Sequence, residues 1–126
     1  MKIKTSELEG AALDWAVAVA LGWSPTDPHE YGLPSYADTI WVTGDKVRPT
    51  VQGFRPSTDW SQGGPLLSEY ATHAEKYPLA KHEPWVVWVA NDEPGQCGDT
   101  LLIAAMRAIV AAELGDTVDV PEELLS

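Results

Sequence analysis

The sequence predicts an α+β fold: two long buried helices packed on a small, mostly antiparallel sheet, with residues 1–126 forming a single domain. Three observations predict it. Past Glu9, the helix expected to run to Leu21 is apolar nearly all round its circumference, with Asp14 as the interruption. Residues 101–114 repeat that pattern, with Arg107 the lone polar side chain before Glu113. The run Trp85–Ala90 is apolar on both faces, as expected of a central strand.

Taken in order, Ile3 between two lysines reads as a short edge strand. Thr5-Ser6 with Glu9 spells a capping box, which predicts a helix to Leu21 that stops at Gly22. Residues 23–37 hold three prolines and carry Trp23, His29, Tyr31 and Tyr36 on a long loop. Thr39–Thr43 is a strand, Gly44-Asp45 a turn, and Lys46–Phe54 the returning partner, placed at an edge by Pro49. A polar loop from Phe54 then launches a short helix over Pro65–Ala71, with Pro65 in its first turn. Thr72–Pro84 reads as loop, and Asn91–Gly98 as a turn-rich connection. Asp99 or Thr100 caps the second long helix, Gly115 closes it, and Thr117–Val120 alternates like a last strand.

Composition excludes several functions. Nineteen acidic against eight basic residues give a net charge of −11, and three arginines cannot build a phosphate-tracking surface, so no direct nucleic-acid contact is expected. The acidity is uneven: residues 91–126 hold eight acids and one base. Cys97 is the lone cysteine, which rules out an intramolecular disulfide and points to a reducing compartment. No signal-peptide pattern or charge-free apolar span is present, so a cytoplasmic location without membrane contact is expected. Two helices this apolar also raise the expectation of a homodimer that covers their second faces.

Candidate chemistry concentrates in Phe54–Leu67. Ser57, Thr58 and Asp59 bond readily to nearby backbone, while Gly63-Gly64 opens conformations closed to other residues. A loop of this kind beside Arg55 is a candidate anion cradle, and Trp23 and Trp60 could wall a nucleotide-sized pocket. The same residues equally well make a structural loop, with Asp59 a cap and Trp60 a core plug. Asp14 and Arg107, the lone polar interruptions of the two helices, form an enclosed pair, or else Arg107 faces the Asp59 loop as a carboxylate or phosphate clamp. His29, His73 and His82 are scattered with no metal-ligand spacing, and Cys97 lacks an identifiable base. No cofactor, metal or catalytic residue is therefore assigned, and a non-enzyme is expected.

Three blocks carry a resemblance. They are Lys2–Leu8 with Gly10 and Ala12–Ala18; Pro56–Trp60 with Gly63-Gly64-Pro65; and Gly98, Thr100-Leu101, Ala104–Arg107 and Gly115–Pro121. In this order they resemble the NinX-like family of small proteins encoded by tailed bacteriophages and prophages. Residues 23–50 and 72–90 match less well. The resemblance implies a phage accessory protein acting in the cytoplasm of an infected cell, and it supplies no reaction. Accessory proteins of this size often counter host defence.

Three functional expectations follow. The first is a module that binds a small anionic ligand, such as a nucleotide, through Arg55, Ser57, Thr58, Asp59, Trp60, Gly63 and Gly64, with Arg107 as a further clamp. The second is an acidic inhibitor of a host protein, DNA-mimicking in character, that uses Asp116, Asp119, Glu122 and Glu123. The third is hydrolysis at the Asp59 loop.

Overall fold

The computed structural model describes residues 1–26, 40–43, 46–50, 54–89 and 95–124. The chain opens with β1 (Lys2–Lys4), a 3-10 turn (Thr5–Glu7) and α1 (Gly10–Ala20). Next come β2 (Ser24–Thr26), β3 (Ile40–Thr43), β4 (Lys46–Thr50) and α2 (Trp60–Tyr70). The chain then runs through β5 (His73–Lys76), β6 (Trp85–Trp88), β7 (Gln96–Gly98), α3 (Leu101–Leu114), β8 (Thr117–Asp119) and a 3-10 turn (Glu122–Leu124). The expected His29, Tyr31 and Tyr36 loop, the Gly44-Asp45 turn and Asn91–Pro94 lie outside the described residues.

The α+β reading holds, with the three expected helices; the middle one, expected to be short, is as long as α1, each spanning 11 residues. The single expected sheet is three small antiparallel units: the ribbon β1-β8, the sheet β2-β3-β4 and the sheet β5-β6-β7. The predicted β3–β4 hairpin forms, and β4, which carries Pro49, is an edge strand among the described residues. β5 and β7 fall in stretches that read as loop. Their sequences, His-Ala-Glu-Lys and Gln-Cys-Gly, have little strand character of their own. Hydrogen bonding to β6 imposes the conformation, so tertiary context overrides local propensity.

The core lies between α1, α3 and one face of β6. Ala12 and Ala16 on α1, and Ala104, Ala105 and Ala108 on α3, are small enough to let the two helices approach closely, and Leu13, Val17, Met106 and Ile109 fill the space. α3 is buried along most of its length because α1, α2 and the sheet β5-β6-β7 all pack against it. Its second apolar face, which the sequence left for a partner subunit, is thus covered within one copy. On β6 only Val87 is fully buried, so the strand is central in order but not enclosed on both faces.

The helix ends follow local chemistry in one case and tertiary chemistry in another. The Thr100 hydroxyl accepts from Ile103 N–H at 3.1 Å and caps α3, and Gly115 ends it with φ +93°, a conformation that favours glycine. The capping box at Thr5-Ser6 does not form. Thr5 instead donates its hydroxyl to the Gly115 carbonyl at 2.6 Å and its N–H to the Asp116 carbonyl at 2.7 Å. α1 accordingly begins later, after Glu9, without a side-chain cap.

Candidate functional site

The loop from Phe54 and the first turn of α2 form one hydrogen-bonded unit. Asp59 is the N-cap: its Oδ1 accepts from Ser61 N–H at 2.9 Å and from the Ser61 hydroxyl at 2.6 Å, and its Oδ2 from Gln62 Nε2 at 3.1 Å. The Ser61 bonds above all, with help from Gln62 and the Arg55 charge, hold the Asp59 carboxyl below its ordinary range. Gln62 Oε1 in turn accepts from Arg55 N–H at 2.9 Å, and the Arg55 carbonyl accepts from Thr58 and Asp59.

This unit corrects the expected loop. α2 starts at Trp60, five residues before Pro65, and Gly63-Gly64 are helical rather than a turn. Pro65 sits inside the helix, where its missing N–H deprives the Ser61 carbonyl of its usual donor. Gly63 is required by proximity: a methyl group there would collide with the Pro56 carbonyl oxygen and approach Leu102 Cδ2 to 2.9 Å. The anion cradle of free amides does not exist. The N–H groups of Arg55, Ser57, Thr58, Asp59, Ser61, Gln62 and Gly63 are all bonded within the chain.

Below the loop, Ser57 N–H donates to Asp14 Oδ1 at 2.9 Å, which answers what the lone carboxylate of α1 is for. Asp14 is 4% exposed, and its burial pushes the carboxyl above its ordinary range, partly offset by Ser57 and the Arg55 charge. Ser57 is 2% exposed, and its hydroxyl, though close enough to Asp14 to favour the charged form, makes no hydrogen bond of good geometry among the described residues. Ser57 and Gly63 are therefore interior.

Arg107 does not pair with Asp14 and makes no bond to the Asp59 loop. It is 5% exposed, with Nε donating to the Leu8 carbonyl at 2.8 Å. Its Nη1 donates to the Cys97 carbonyl at 2.8 Å and to Glu83 Oε2 at 3.2 Å. Its role is to tie α3 to the start of α1, to β7 and to the hairpin between β5 and β6. One hint of this is legible in the chain itself, a single arginine in an apolar helix that must find acceptors inside. Its acceptors are mostly backbone, which no side-chain pattern announces.

What faces solvent is smaller than the expected set. Arg55 and Thr58 are exposed, Asp59 and Gly64 are half-buried, and Trp60 is 56% exposed. The Arg55 guanidinium acts on Asp14 and Asp59 through space, yet makes no ion pair or hydrogen bond among the described residues. Trp23 packs on Phe54 with ring centroids 4.7 Å apart. A cavity of about 270 Å³ lies elsewhere, lined by Lys4, Thr5, Ser6, Gln96, Asp116 and Thr117.

For chemistry, the Ser57 hydroxyl has no histidine beside it among the described residues. His73 is bonded to Glu75 at 2.8 Å and lies against Trp88, with ring centroids 5.0 Å apart and the planes tilted by 43°. No group of three or more His, Cys, Asp or Glu gathers to hold a metal among the described residues. No helix among them is long and apolar enough to cross a membrane. In the acidic C-terminal region, Asp119 is engaged by the amino terminus at 2.8 Å, and Asp116 is exposed.

No curated protein matches the chain. The family model described as Bacteriophage P22, NinX matches residues 4–113, a span that includes the Arg55–Gly64 unit, the Asp14–Ser57 bond and Arg107. The chain belongs to that NinX family and is a phage accessory protein.

Proposed function

We propose that this accessory protein is a non-catalytic binding module, and that the shoulder formed by Arg55, Thr58 and Trp60 holds a small anionic ligand with a planar ring, a nucleotide being the fitting class. One observation carries the reading: an arginine whose guanidinium has no ion pair or hydrogen bond among the described residues and a largely bare tryptophan stand at the two ends of a turn whose Arg55, Ser57, Thr58 and Asp59 amides are all bonded. A guanidinium left free in this way suits phosphate or carboxylate, and an exposed indole face suits a stacked base.

Recognition falls on side chains, because the amides are already used. The field at the N-terminus of α2 is also answered by Asp59, so the anion must be met by Arg55. Ser57, Gly63, Asp14 and Arg107 act as scaffold, which supports pre-organisation of the shoulder rather than contact with the ligand. Countering host defence by trapping a signalling nucleotide would use such a shoulder directly.

A thermal-shift panel of mono-, di- and cyclic nucleotides tests the reading. A shift with at least one of them, lost in Arg55→Ala and in Trp60→Ala, is expected. No shift for the native chain, or a shift that both substitutions leave intact, overturns it.

A further inference from the structure

The cavity of about 270 Å³ lies where the end of β1, the 3-10 turn Thr5–Glu7, β7 and the start of β8 converge. Its lining is Lys4, Thr5, Ser6, Gln96, Asp116 and Thr117. No aromatic or large aliphatic side chain is among them, so it offers little to a nucleobase, a lipid or an apolar peptide. The volume falls below the about 300–1,000 Å³ of pockets that take drug-sized ligands, which leaves a small polar molecule.

The backbone around this space is fixed before anything enters it. Thr5 is 1% exposed and ties the two sides together. Its N–H donates to the Asp116 carbonyl at 2.7 Å, its hydroxyl donates to the Gly115 carbonyl at 2.6 Å, and its own carbonyl accepts from Leu8 N–H at 3.2 Å. Pairing on the ribbon sets Lys4 opposite Thr117, and pairing with β6 sets Gln96 opposite Val87. A site whose backbone is already ordered loses little entropy there when a ligand binds.

Two opposite charges line the cavity without meeting. Lys4 and Asp116 make no ion pair with each other or with another group among the described residues, whereas Asp119, three positions on, is taken by the amino terminus at 2.8 Å. The hydroxyls of Ser6 and Thr117 and the amide of Gln96 also make no hydrogen bond among the described residues. A simple anion would gain Lys4 but face Asp116 and a chain of net charge −11. A simple cation would gain Asp116 but face Lys4. A molecule that carries both charges meets both groups at once and has no net charge to be repelled.

We infer that this cavity binds a small zwitterion of the α-amino acid class, its carboxylate accepting from Lys4 and its ammonium donating to Asp116. Ser6, Gln96 and Thr117 then meet the remaining polar atoms of the ligand. The site is separate from the Arg55–Trp60 shoulder and does not rest on ligand binding there.

The test titrates the isotope-labelled full chain with a panel of free L-amino acids and follows its amide chemical shifts. Saturable shifts at residues 4–6, 96 and 116–117 are expected for at least one amino acid. Ethylamine, propionate and glycerol, which carry one of the charges or neither, are expected to give none at the same concentration. Lys4→Met and Asp116→Asn change exposed side chains that make no bond among the described residues, so both fold as the parent does, which thermal unfolding verifies. Each is expected to raise Kd at least about 10-fold, the lower end of what one hydrogen bond to a charged group contributes. Lys2→Met makes the same charge change on β1 outside the cavity and is expected to leave Kd unchanged. The inference is overturned if no amino acid gives saturable shifts at these residues, or if ethylamine, propionate or glycerol shifts them as strongly. It is equally overturned if either cavity variant binds as the parent does, or if Lys2→Met weakens binding as much as Lys4→Met.

Discussion

Two arginines of this chain have the same chemistry and opposite surroundings. Arg107 is 5% exposed and spends its donors on two backbone carbonyls and one carboxylate, binding α3 to three other parts of the fold. Arg55 is exposed and makes no bond with its guanidinium among the described residues, while its own backbone is locked on both sides. The difference teaches where to look for function. A buried arginine whose donors are consumed holds structure, and an exposed one that a rigid turn presents unpaired is available for something else.

The largest effect should come from breaking the first region. Arg107→Met strands the buried Leu8 carbonyl and the part-buried Cys97 carbonyl, and should cost about 3–5 kcal/mol in urea denaturation. A loss below about 1 kcal/mol, the level of an ordinary hydrogen bond, would mean that Arg107 is not the tie described here. Gly63→Ala forces α2 away from the Pro56 carbonyl and should cost about 1–3 kcal/mol, measured in the same way.

Asp14 sharpens the comparison, because its charge and its hydrogen bond can be separated. Asp14→Ala leaves the buried Ser57 N–H without an acceptor and should cost about 1–3 kcal/mol. Asp14→Asn keeps an acceptor and removes the charge, so it should be better tolerated. The sign of the pH dependence follows from the direction of its shift. The folded carboxyl titrates above its ordinary value of 3.8, so its contribution is fully favourable below that pH and is lost as pH rises through the higher folded value. Thermal unfolding of Asp14→Asn against pH should lack that decline.

Asp59 behaves in the opposite sense and more weakly. Asp59→Ala removes the cap of α2 and should cost about 1 kcal/mol. Its folded carboxyl titrates below 3.8, so its contribution is present above that value and fades as pH falls through the lower folded one. Arg55→Ala and Trp60→Ala should leave stability within about 0.5 kcal/mol of the parent, as expected of exposed side chains that make no hydrogen bond or ion pair among the described residues.

Much of the fold was legible because long apolar patterns leave few alternatives. α1, α3 and β6 declare themselves in this way, and Thr100 and Gly115 mark the ends of α3 by chemistry local to those residues. β5 and β7 could not be read, since their strand character comes from pairing with β6. The start of α2 was hidden for a related reason: Gly63-Gly64-Pro65 looks like a helix breaker, yet Gly63 answers to the nearby Pro56 carbonyl. The candidate site was legible as a region and not residue by residue. Arg55, Thr58 and Trp60 reach the surface, whereas Ser57 goes inward to a carboxylate forty-three positions earlier. No spacing in the sequence joins Ser57 to Asp14, or Arg107 to Glu83.

The central claim is that the Arg55–Trp60 shoulder is a recognition surface on a rigid scaffold. Calorimetric titration of the parent chain and of the Arg55→Ala/Trp60→Ala double variant with the nucleotide that gives the largest thermal shift tests it most directly. Saturable binding to the parent, abolished in a double variant of unchanged stability, is the predicted result. Equal binding by both, or none by either, contradicts the claim.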